Sequence, residues 1–187
     1  MLDVALKFLV KELGSYLLLR TGVSFGEPDL CRIVDDSGKW AVPEDRIGAS
    51  LINIEEERAV KSQLPEATYV NGRNVVLQPA LNLNLHVLFA ANFKRYDEAL
   101  RYLSYVLTYF QSHLLFTPTQ YPGLDPRIGK LSAELQSLTY EQVNQIWAFL
   151  GGKQLPSALY KVRMLTLQDA GQTIEAPVAQ LTPVLHQ

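Results

Sequence analysis

The sequence predicts an α/β (α+β) domain in which about three helices pack on a small mixed sheet of roughly four strands. Three observations predict it. Leucines recur at helical spacing near the start of the chain, strict apolar and polar alternation runs from Leu81 to Phe89, and a capping box at Thr139 opens a helix that stops at a glycine pair. The 187 residues suit one domain, and an apolar content of 48% is enough to bury a sizeable core. That domain is expected over residues 1–168, with residues 169–187 as an extended C-terminal tail.

Leu6, Leu9, Leu13 and Leu17 share one helical face, Asp3 is placed to cap the start, and Gly22 lies just past the end. A first helix is therefore expected from residue 3 to about 20. Gly, Pro and Asp then recur through GVSFGEPDLCRIVDDSGKWAVPEDRIG, where only LCRIV suits a short strand. So long an irregular stretch inside a domain is expected to be functional or ordered by a partner. ASLINIEEERAV begins with strand formers and ends in charge. Asn71-Gly72 signals a hairpin between Tyr69-Val70 and Val75-Val76, with Arg73-Asn74 expected to lengthen its loop beyond two residues. In the alternating run Leu81, Leu83, Leu85, Val87 and Phe89 take one face and Asn82, Asn84 and His86 the other, which predicts one core face and one polar face.

A second helix is expected from Tyr96 to about His113, with Asp97 and Glu98 at the positive end of its dipole. Leu100, Leu103, Leu107, Phe110 and Leu114 form one stripe, and Tyr102, Tyr105 and Tyr109 form a second on nearly the opposite side. A helix of that kind is expected to have neighbours on both faces. After the Pro- and Gly-rich FTPTQYPGLDPRIG, KLSAELQSL alternates as a strand. Thr139 and Gln142 then open the third helix, with Tyr140, Val143, Ile146, Trp147 and Leu150 inward and Gly151-Gly152 as the stop. ALYKVRMLTLQ, at 158–168, is the last strand.

A net charge of -2 provides no long-range attraction to nucleic acid or an anionic membrane, and neither is expected as a partner. Asp3, Lys7, Lys11 and Glu12 interrupt the apolar start, which excludes a membrane span there, fits a signal peptide poorly and predicts a cytoplasmic location. The single cysteine, Cys31, excludes an internal disulfide or a thiolate cluster. GGK at 151–153 follows a helix instead of opening one, and no G-x-S-x-G elbow is present. His86, His113 and His186 are dispersed without metal-ligand spacing, and only His86, beside Asn84, is placed to sit in a cleft. No catalytic, cofactor-binding or metal-binding residue is expected, and the chain is not expected to be an enzyme. Glu55 and Glu57 alternate onto one strand face, a solvated strand end or a salt-bridged subunit edge. Tyrosine buries area and keeps a hydroxyl to satisfy, so Tyr102, Tyr105 and Tyr109 suit either packing inside the chain or a subunit contact. Trp40 has the same two settings.

Three runs together carry a family resemblance: IVDDSGKWAVPEDRIGASLINIEEER, ALNLNLHVLFAANFKRYDEALRYLSYVLTYFQ and LDPRIGKLSAELQSLTYEQVNQIWAFLGGKQLPSALYKVRMLTLQ. They resemble the domain at the start of the tail-terminator, or cap, protein of bacterial extracellular contractile injection systems, relatives of contractile phage tails. The resemblance extends from Met1 to about Gln168. It implies a tail-terminator-like fold and a subunit that assembles with itself, as a homo-hexameric ring, on the end of an inner tube. Such a ring would end tube growth and anchor the last sheath layer, with inner tube and sheath subunits as partners. An adaptor linking the particle to cargo or a cell envelope is the alternative. The candidate interface residues come from the side chains alone: Trp40 and Arg46, Glu55 and Glu57, and Tyr102, Tyr105 and Tyr109.

Overall fold

A computed structural model describes residues 1–58, 66–70, 73–77, 81–151, 153–167 and 173–175. Helix α1 (Leu2–Thr21) buries Leu6, Leu9, Leu13 and Leu17 as the spacing predicts, and its C-cap, Gly22, takes the left-handed φ of 70° that favours glycine. Asp3 lies inside the first turn and pairs with the N-terminal amine, so Met1 occupies the cap position. The next element is strand β1 (Pro28–Leu30), slightly earlier than LCRIV. Val34 and Trp40 form an isolated bridge around a turn in which Asp35 Oδ1 accepts from the backbone N–H groups of Ser37 and Lys39.

Strands β2 (Arg46–Glu56), β3 (Glu66–Val70), β4 (Arg73–Leu77) and β5 (Leu81–Asn92) follow, then α2 (Tyr96–Ser112) and β6 (Leu115–Phe116). A 3-10 turn over Pro126–Ile128, β7 (Leu131–Gln136), α3 (Tyr140–Phe149), β8 (Ser157–Leu167) and β9 (Thr173–Glu175) complete the order. Thr139 and Gln142 close the capping box as read from the sequence. Val70 pairs with Arg73, so Arg73-Asn74 belongs to the strand and the connection is shorter than expected. The turn residues Asn71-Gly72 lie outside the described residues, as do Gly152, His186 and most of the expected tail. Within that tail, Thr173–Glu175 pairs with β4.

The main sheet has six strands in the order β1-β2-β5-β8-β7-β6, and β3-β4-β9 forms a separate three-stranded sheet. The class is the expected one, α+β with a mixed sheet, since β1 joins β2 in parallel and the other pairs are antiparallel. The strand count exceeds the expected four because β1 and β6 are too short to show a period and β3, β4 and β9 form a sheet of their own.

Both faces of the main sheet carry a core. On one face, Leu83, Leu85, Val87 and Phe89 meet α1 and α2. On the other, Leu88, Ala90 and Leu159 meet Ile33 and Val42 from the long loop and Trp147 from α3. The polar face predicted for β5 is thus confined to Asn82, Asn84 and His86, and beyond His86 the same face turns apolar. The long loop is ordered by the chain itself, with Trp40 packed edge-on against Trp147 at 6.2 Å. Gly26 takes a φ of 76° and lies against the Tyr102 ring, where a Cβ would clash with the aromatic carbons. No described helix is long and apolar enough to cross a membrane.

Phe110 lies 5.2 Å from Phe89 and 4.6 Å from Tyr160, at the centre of the helix-covered core. Phe110→Ala is expected to lower unfolding stability by ~3–5 kcal/mol in urea titration. Tyr140, 97% exposed, is the control: Tyr140→Ala is expected to move it by no more than ~0.5 kcal/mol.

Candidate assembly interface

The tyrosine stripe takes the first of its two possible settings. Tyr102 is 4% and Tyr109 2% exposed, and Tyr105 is half-buried against the same core. Tyr102 stacks on Phe93 at 4.8 Å and Tyr109 meets Tyr16 at 5.1 Å, so the large rings lie between α2 and the chain's own elements. Burial raises the phenol pKa of both, because it disfavours the phenolate. Of the other stripe, Phe110 also turns into the core, while Leu100 and Leu114 are exposed and Leu103 and Leu107 are half-buried. Leu103 and Leu107 line a cleft of about 320 Å³ with Leu135, Val143 and Ile146.

The polar end of the sheet face is a charge ladder. The register pairs Asn53 with His86 and His86 with Lys161, after a shift beyond Leu51 in β2, and Glu55, opposite Asn84, reaches His86 and Lys161 on the diagonal. Lys161 Nζ and His86 Nε2 lie 2.9 and 3.0 Å from Glu55 Oε2. The Asn84 amide, itself buried, donates to Glu57 Oε2 at 3.0 Å. Arg163 reaches Glu134 at 3.1 Å. Hydrogen bonds from His86 and then Lys161 hold the Glu55 carboxyl below its ordinary pKa. Among the described residues no hydroxyl or thiol is hydrogen-bonded to His86, and no group of three or more His, Cys, Asp or Glu is placed to hold a metal. The ladder can bind and orient charge.

Arg46 opens β2 and bridges Glu27 and Asp29 at 3.2 and 3.5 Å, tying β1 to the sheet. Arg46 and Trp40 therefore stand near one edge, Glu55 and Glu57 lie along the ladder, and the tyrosines belong to the helix-covered core. The fold does not bring the candidate interface residues together into one patch.

Sequence reading missed the two edges of the main sheet. Strand β1 covers β2 only along Ile47–Ala49, so Ser50–Glu55 has no outer neighbour strand among the described residues. Strand β6 covers β7 only at Leu131 and Ser132, which among the described residues leaves Ala133–Gln136 without an outer strand, with a 3.5 Å contact from Gln136 Nε2 to Glu134 O. Each open stretch carries one exposed leucine or isoleucine, Ile54 at 43% and Leu135 at 53%. An open strand presents unpaired N–H and C=O groups to any extended chain. Pro28 is the sequence signal that was available for the first edge, because proline is confined to edge strands. No comparable signal marks the second.

Residues 6–180 match the model of the Pvc16 N-terminal domain. The chain belongs to the Pvc16 N-terminal domain family. Two solved structures share the fold. One is the sheath/tube terminator of an extracellular contractile injection system, PVC, in its extended state: TM-score 0.62, 14% identity, covering 100% of this chain and 64% of the other. The second is the anti-feeding prophage cap, a tube-terminating cap: TM-score 0.57, 17% identity, covering 99% of this chain and 61% of the other. The chain thus spans a little over three-fifths of the length of each. No curated protein matches it in sequence.

The ladder makes a pH-dependent prediction. A depressed carboxyl pKa contributes stability that is present above the ordinary value of 4.5 and is lost as pH falls through the folded value. Glu55→Gln is therefore expected to reduce the urea midpoint at pH 7, and the difference from the unsubstituted chain should shrink progressively below about pH 4.5. A difference independent of pH would assign the effect of Glu55 to packing.

Proposed function

We propose that this chain is a non-catalytic structural subunit that closes the end of the inner tube of a contractile injection particle. In this reading it assembles with itself as a six-fold ring, halts tube growth and anchors the last layer of sheath. It is made in the cytoplasm and incorporated into the particle there. The observation that carries the reading is family membership over residues 6–180, joined to a fold that overlays a sheath/tube terminator along the whole chain. The architecture suits the role. Heterologous contacts close into a ring when two unlike surfaces of one subunit are complementary, and the two ends of the strand order are unlike surfaces.

Particles produced with and without the chain test the reading in negative-stain images. Without it, tubes of uncontrolled length or particles that have shed their sheath are expected. Particles of normal length and sheathing that lack only cargo or cell attachment would overturn it in favour of an adaptor.

A further inference from the structure

We propose that the ring is closed by main-chain pairing between the open stretch of β2, Ser50–Glu55, on one copy and the open stretch of β7, Ala133–Gln136, on the next. The proposal rests on the ring reading above and names its contact.

Three features of the sheet lead to it. The first is that, among the described residues, both edges are only partly covered. A three-residue strand guards one and a two-residue strand guards the other, and each stops short of the stretch that carries an exposed apolar residue.

Strand polarity is the second feature. From β2 through β5 and β8 to β7 every step is antiparallel, so β7 runs opposite to β2. A copy placed alongside by rotation about an axis near the strand direction keeps that polarity. Its β7 therefore meets β2 as an antiparallel partner, the arrangement whose hydrogen bonds lie perpendicular to the strands.

The faces agree as well. Ile54 is paired with Leu85 and Leu135 with Tyr160, and Leu85 and Tyr160 both belong to the core under α1 and α2. Ile54 and Leu135 thus lie on the same face of the sheet, and side-by-side copies bring them to one side of the new seam. There they cover each other as a cross-strand pair, directly opposite or on the diagonal. The pairing uses at most the four residues of Ala133–Gln136, so the seam is short and each subunit supplies one half of it. A two-fold pairing of β2 with itself would leave β7 open and close a dimer instead of a ring.

Cysteine crosslinking tests this on assembled particles. In a Cys31→Ser background, chains carrying Ile54→Cys, Leu135→Cys, or both are incorporated and treated with a short bis-maleimide that reaches opposite and diagonal neighbours. The doubly substituted chain is expected to give a ladder of covalent species ending at the subunit number of the ring, and each single substitution is expected to stay monomeric. Dimers from Ile54→Cys alone would overturn the proposal in favour of a two-fold contact. Rings seen by imaging whose doubly substituted chains remain monomeric on the gel would overturn the β2–β7 seam and leave the ring reading standing. Absence of any ring at the tube end would overturn both.

Discussion

Strand β5 is the constraint on which the rest of the structure depends. It is flanked on both sides by strands of comparable length, β2 and β8, and over Val87–Ala91 it is buried on both faces. Its odd-numbered side chains require α1 and α2, and its even-numbered ones require a second cover, which the long loop and α3 provide. A strand buried on both faces cannot slip register without moving every side chain to the wrong environment. The β2–β5–β8 alignment is therefore tightly specified, and the positions of both open edges follow from it.

This also accounts for the behaviour of the long loop. A stretch with so many Gly, Pro and Asp residues lacks a period, yet it inserts Ile33 and Val42 into the second core and holds Trp40 against Trp147. The turn around Asp35 supplies local bonds that a regular element would otherwise provide. Irregular backbone serves here as a cover layer, and a partner is not needed to order it.

The elements that were legible in the sequence are those with a long period or a capping signal: α1, α2, α3, β5, β7 and β8. The polarity of α2 was only half legible. Its leucine and tyrosine stripes are both apolar enough to be inward, and periodicity cannot rank them. Packing does, because Tyr102 and Tyr109 fill the space beside Phe93 and Tyr16 with more area than leucine would. Nor could alternation show that the His86 face of β5 becomes apolar at Leu88, since the cover comes from Ile33 and Val42 far earlier in the chain and from Trp147 far later. The interface residues chosen from the sequence were charged or aromatic side chains. The open edges are properties of the backbone and of strand order, and these are fixed only when distant strands meet.

In the proposed ring each copy meets its neighbours through the two edges of the main sheet. Amide hydrogen exchange, followed residue by residue in the isolated chain and in the assembled particle, tests it most directly. Amides in Ser50–Glu55 and Ala133–Gln136 are expected to include a fast-exchanging set in the isolated chain that becomes protected on assembly, while Leu85–Phe89 is slow in both. Edge amides that exchange equally fast in the two states, with protection gained elsewhere on the domain, would contradict it.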